Sequence, residues 1–193
     1  MTCHLTWPIV VIMSDAGTHD TKFNNLLREQ IRSEFTASQQ YVAIAVYLDG
    51  SDLPRLAGHF YAQAVEERNH AMMLVQYLLD RDLDVEIPGI DAVQNQFDTP
   101  AQALRLALEQ ERTVTEQVTR LASVAREEGD YLGEQYMQWF LKEQVEEVAT
   151  ITTLVRIAER AGSNLFHLED FVAREMSAGA SDPVAPKAAG GNL

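Results

Sequence analysis

The chain has a single cysteine, Cys3. That excludes a disulfide framework and any thiolate zinc site, and it fits a reducing cytoplasm. Proline and glycine are sparse, at six and ten among 193 residues, so long stretches run without a helix breaker. No Gly-rich phosphate loop is present, and no nucleophile–base pairing for covalent catalysis. The one apolar run, Trp7-Pro8-Ile9-Val10-Val11-Ile12-Met13, is far short of a membrane span. Residues 1–6 carry no Lys or Arg ahead of it, as a secretory signal would require. Residues 1–20 therefore read as a disordered extension, with Met13 a second candidate start. Positive charge is also scarce: 15 Lys and Arg stand against 29 Asp and Glu, a net charge of −14. Such a surface repels nucleic acid and anionic membranes and attracts metal cations.

What is present is helix-forming sequence, rich in Ala, Leu, Gln and Glu. The spacing of apolar residues by threes and fours predicts a first helix over about Thr21 to Asp49. Gly50 ends it, and Ser51 or Asp52 is placed to cap a second helix, Leu53 to Arg81, with Pro54 in its first turn. A long connection, Asp82 to Asp98, holds Ile87-Pro88-Gly89. Its length suits a crossover running back along a helix, which makes the second and third helices parallel. Thr99 and Pro100 form a cap and N1 pair for a third helix ending near Glu127. Gly129 separates it from a fourth, about Asp130 to Ala161. A short amphipathic fifth follows, Ser163 to Met176. Residues 177–193 are Ala, Gly, Ser and Pro, a composition expected to give a flexible tail. The fold class is all-α: a four-helix bundle with a long crossover and a short fifth helix.

The apolar seams are interrupted by charge at matching depth. Glu34 lies between Ile31 and Ser38 in the first helix. Glu67 lies between Ala64 and Ala71 in the second, with His70 three residues on. Glu111 lies between Leu108 and Thr115 in the third, and Gln144 and Glu147 lie between Phe140 and Ile151 in the fourth. One inward Glu is ordinarily an edge residue or a water-bridged acid. Four helices doing this together is a different matter. Each dry, ionised carboxylate costs roughly several kcal/mol, against a domain stability of about 5–15 kcal/mol. No Lys or Arg shares the seams, so the neutralising charge must be a bound metal. Glu, His and Gln offer oxygen and nitrogen ligands, which suit iron or manganese. A di-iron carboxylate bundle takes a Glu from each of two helices and Glu-x-x-His from each of the others. Here Gln144-x-x-Glu147 replaces the second Glu-x-x-His.

Tyr41-Val42-Ala43-Ile44-Ala45-Val46-Tyr47, Glu66-Glu67-Arg68-Asn69-His70-Ala71 and the run from Gln138 to Glu147 resemble bacterial non-haem ferritin. Within that family the likeness is to the actinobacterial group called ferritin B. It spans about residues 21–176 and touches all four long helices.

The resemblance implies a ferritin-like fold and roles for particular residues. Glu34, Glu67 and His70 would hold a first iron. Glu67 would bridge to a second, completed by Glu111 and Glu147, with Gln144 beside it. Glu66, Glu143 and Glu146, with Glu147, match an outer iron site, and Tyr41 and Trp139 match aromatics able to supply an electron. The implied activity is oxidation of Fe(II) by dioxygen or peroxide, with storage of the ferric product in a hollow homo-oligomer of about twenty-four subunits. In haem-containing relatives the haem ligand is a methionine just after the bridging Glu; here that residue is Arg68, so no haem is expected. Glu127, Glu128, Asp130 and Glu134 are candidates to line entry channels. The competing readings are a soluble di-iron oxidase or peroxidase that stores nothing, and a helical interaction module that binds no metal.

Overall fold

The computed structural model describes residues 21–162, 164–176 and 184–193. They form five helices and, among the described residues, no strand: α1 Lys22–Asp49, α2 Pro54–Asp80, α3 Pro100–Glu127, α4 Tyr131–Ala161 and α5 Phe166–Glu175. The expected extension at 1–20 and the expected start of the fifth helix at Ser163 lie outside the described residues.

Local chemistry sets most of the boundaries. Thr21 accepts from the Asn24 N–H at 3.1 Å, Thr99 from Gln102 at 3.2 Å and Asp130 from Gly133 at 3.0 Å, each filling an open donor of a first turn. α2 departs from the expected cap. Its N-cap is Leu53, with no side-chain cap bond. The Ser51 hydroxyl turns back to the Tyr47 carbonyl at 2.8 Å, and Asp52 is left-handed at φ 59°. The donors of α2 are met from across the fold instead. Arg55 and Leu56 N–H both reach the Glu169 carboxylate of α5 at 2.9 Å. An acid at a helix N-terminus also meets the positive end of the helix dipole. The start of α1 is held likewise, with Lys22 and Phe23 N–H donating to Glu128, the residue that caps the end of α3, at 2.9 and 3.1 Å.

α1 pairs with α2, and α3 with α4. The crossover from Arg81 to Thr99 is non-helical and follows α1. Arg28 donates to the Asp84 carbonyl at 3.3 Å, and Arg32 pairs with Asp91. Gln40 and Gln94 exchange two bonds of 2.8 Å, and Tyr47 packs on Phe97 with ring centroids 5.0 Å apart. Residue numbers rise together along α1 and the crossover, so the chain returns to the start of α2 before α3 begins. This is the parallel arrangement that the connection's length predicted.

The interior has two apolar clusters. One holds Tyr41, Ile44, Leu48, Leu56, Phe60, Leu104 and Leu154, closed by Leu168 and Val172 of α5. The other holds Phe23, Leu27, Ile31, Leu74, Leu78, Leu121, Met137 and Phe140. Phe23 lies so close to Gly133 that a Cβ there would stand 2.5 Å from the ring. Residues 184–193 of the tail lie on α2, although their composition alone suggested no fixed place. The Ala189 N–H donates to the Met72 carbonyl at 3.0 Å, and Ala188 is buried beside the second cluster. No helix among the described residues is long and apolar enough to cross a membrane.

Candidate metal centre

Between the two clusters lies a polar layer. Glu34, Glu67, His70, Glu111, Gln144 and Glu147 are all buried, the most exposed of them 7% accessible. Each occupies a position on its helix where the flanking seam residues are apolar, so the same helical period that buries Ile31 and Leu74 also buries these groups. The tightest group is Glu34, Glu67 and His70, with one ligand atom from each within 4.8 Å of the others. His70 Nδ1 stands 3.4 Å from Glu67 Oε2. Its ring is fixed edge-on against Trp139 and Phe140 of α4, at 5.6 and 5.8 Å. Glu111 and Glu147 lie outside that tight trio but close enough to repel Glu67.

The acids cannot all ionise in an empty site. Burial raises the Glu34 and Glu67 pKa values well above the usual carboxylate range; repulsion from Glu67 adds to it at Glu34, and repulsion from Glu111 at Glu67. Burial, followed by repulsion from Glu111 and Glu66, lifts Glu147 to about 8. Glu111 is raised by burial and partly restored by two donors, the Tyr41 hydroxyl and the Gln144 amide. Tyr41, itself buried beside these acids, has its phenol pKa raised well above the ordinary value, first by burial. It donates to Glu111 Oε1.

The donor set fits a metal. Glu34 Oε2, both Glu67 oxygens and Glu111 Oε2 are buried without a hydrogen-bond partner. Buried polar atoms are ordinarily paired, so these four orphaned carboxylate oxygens are lone pairs available to a cation. Neutral groups turn them there. Gln30, one helical turn before Glu34, donates its amide to Glu34 Oε1 at 2.9 Å and leaves Oε2 free. Gln63 donates to Glu66 Oε2 at 2.6 Å and lies near enough to Glu147 to hold its pKa down slightly, between the buried layer and the outer acids.

The outer acids are graded in exposure. Glu66 and Glu143 are half-buried and Glu146 is exposed. Burial, with repulsion from Glu146 and Glu66, raises the Glu143 pKa, and its Oε2 has no partner. They form a descending path from Glu147 to solvent. All four expected channel acids are engaged within the subunit: Glu127 accepts from Ser123 at 3.2 Å, Glu128 caps α1, Asp130 caps α4 and meets Arg81 at 3.3 Å, and Glu134 pairs with Arg126. Sequence reading had singled out neither Gln30 nor Gln63. Each sits three or four residues before a Glu of the site, the reach of a helical side-chain pair, and that spacing was the available signal.

A four-helix bundle with a parallel crossover and a carboxylate–histidine layer at mid-height is the architecture of the carboxylate-bundle proteins. A family described as the ferritin-like domain matches residues 24–161. Ferritin BfrB of Mycolicibacterium smegmatis is 77% identical over 181 residues, covering 94% of this chain and all of that one. Ferritin BfrB of Mycobacterium tuberculosis is 70% identical over 173 residues, covering 90% of this chain and 96% of the other. An open-pore ferritin from Archaeoglobus fulgidus superposes with a TM-score of 0.75 at 26% identity, over 79% of this chain and 94% of that one. The chain belongs to the ferritin family.

Proposed function

We propose that this chain is an iron-storage subunit. It oxidises Fe(II) at the site formed by Glu34, Glu67, His70, Glu111 and Glu147, and it assembles into a hollow cytoplasmic shell of about twenty-four copies. The observation that carries this reading is the cluster of buried carboxylate oxygens without partners. Membership of the ferritin family and high identity to proteins named ferritin BfrB support it.

Charge gives the site its direction. Ionised, Glu34, Glu67, Glu111 and Glu147 carry four negative charges, and two Fe(II) ions carry four positive ones. The buried layer is then neutral, and burial no longer penalises ionisation. The two irons next give one electron each to the co-substrate, which takes up two protons: dioxygen becomes hydrogen peroxide, or hydrogen peroxide becomes two waters. The ferric pair exceeds the charge of its ligands and is held less comfortably. Glu66, Glu143 and Glu146 offer further negative charge toward solvent, which makes them the route of departure. Iron is substrate and cargo here, and the protein supplies position, charge and a dry surrounding. Tyr41 is placed to hold Glu111 and to supply an electron. Glu67 belongs to the trio with Glu34 and His70 and is also repelled by Glu111 and Glu147, so it is assigned as the bridge. Haem has no part in this scheme.

Two measurements test it. Stopped-flow absorbance after Fe(II) mixing should show fast oxidation in the unmodified protein and its loss in Glu67→Ala. Size-exclusion chromatography with iron staining should place iron in a large shell. Wild-type rates in the variant would remove the site, and an iron-free small oligomer would remove storage and favour a di-iron oxidase.

A further inference from the structure

Thr115 of α3 is half-buried and lies beside the polar layer, one helical turn beyond Glu111. Its hydroxyl is 2.9 Å from Gln144 Oε1 on α4 and 2.8 Å from the Glu111 carbonyl. That carbonyl already accepts the helical N–H of residue 115. It can do without the hydroxyl proton, whereas Gln144 Oε1 has no proton of its own and takes this one across a 2.9 Å contact. An amide whose oxygen is held on one side presents its N–H2 group on the other. On that side Gln144 lies near enough to Glu111 to hold its pKa down, as a donor does. The reverse orientation would set the amide oxygen against a carboxylate, whereas an N–H to a carboxylate is a charge-assisted bond.

We infer that Thr115 is a positioning residue that fixes the amide of Gln144, so that Gln144 meets the site as a hydrogen-bond donor and not as an iron ligand. This deepens the proposed iron site and rests on it. An N–H2 group has no lone pair for a cation. Turned inward, it subtracts a ligand from the second iron position while steadying Glu111, which Tyr41 holds from α1. The layer then receives Fe(II) without closing around the product. A freely turning amide would instead offer Oε1 to the metal and retain iron longer.

The test compares Thr115→Val with Thr115→Ser. Valine keeps the shape and removes the hydroxyl; serine keeps the hydroxyl. In T115V the turnover of Fe(II) should fall roughly three- to ten-fold, the worth of one net hydrogen bond, while KM for Fe(II) stays level or drops. T115S should recover most of the turnover. Equal losses in both variants would mark Thr115 as packing only and overturn the inference, as would an unchanged T115V or a KM rise with turnover intact. A second measurement uses the unmodified protein soaked with Co(II) or Zn(II), so it does not depend on either variant folding. Gln144 Oε1 still within hydrogen-bond reach of Thr115 supports the inference, and Oε1 on the metal overturns it. Because these ions bind without being oxidised, that result stands apart from any failure of Fe(II) oxidation.

Discussion

The apolar clusters at the two ends of the bundle and the polar layer between them are built by the same helices under opposite rules. In the clusters, Leu27, Leu74 and Leu104 are wholly buried and gain from leaving water. In the layer, Glu34, Glu67 and Glu111 are 1% accessible and lose by it. The clusters hold the fold together, and they thereby oblige the layer to find a cation. Stability at the ends is what keeps the middle poised.

That contrast is open to attack from both sides. The largest effect should come from the apolar side. Leu74→Ala leaves a cavity in the second cluster and should cost about 2–5 kcal/mol in denaturant unfolding of the iron-free protein. A near-neutral result would mean that this region is not the packed core it looks to be.

The next effect is on pH. Glu34, Glu67 and Glu147 bind protons in the empty fold at pH values where the unfolded chain has released them. Iron-free protein should therefore lose stability as pH rises from the ordinary carboxylate range through about 8, the value for Glu147, by roughly a few kcal/mol in all. Fe(II) binding should release protons over the same window. Thermal melts of the iron-free protein that stay flat from pH 5 to 8 would contradict the burial of these acids.

Glu67→Leu turns one layer position into a cluster position. It should stabilise the iron-free protein by about 1–4 kcal/mol while abolishing Fe(II) oxidation. Opposite signs for Leu74→Ala and Glu67→Leu in one denaturation series would sharpen the comparison; the same sign would break it. The smallest effect belongs to the surface. Arg105 and Glu159 pair at 2.9 Å with both side chains about half exposed, so Arg105→Ala should change stability by less than about 1 kcal/mol.

Much of this was legible before any coordinates. Helical spacing located all five helices to within a few residues, and the Thr99-Pro100 pair marked the start of α3. The interruption of four seams at one depth pointed to Glu34, Glu67, His70, Glu111, Gln144 and Glu147, all of which are buried. Where the reading fell short, the partner was distant. Ser51 and Asp52 were in the right place to cap α2, yet Glu169, more than a hundred residues on, does the work. Glu128 reads locally as a polar turn, and it holds the start of α1. The small residues of the tail gave no hint that Ala188 would be covered.

The order of residues was enough to specify the helices, the depth of the charged layer and its demand for a cation. Those follow from period and composition, which act along one chain segment at a time. Which carboxylate oxygens stay unpartnered and which helix ends are capped from afar emerged only with the assembled bundle. Those depend on side chains brought together across the bundle, and no local pattern specifies the angle at which two helices present their hydrogen-bonding groups to each other.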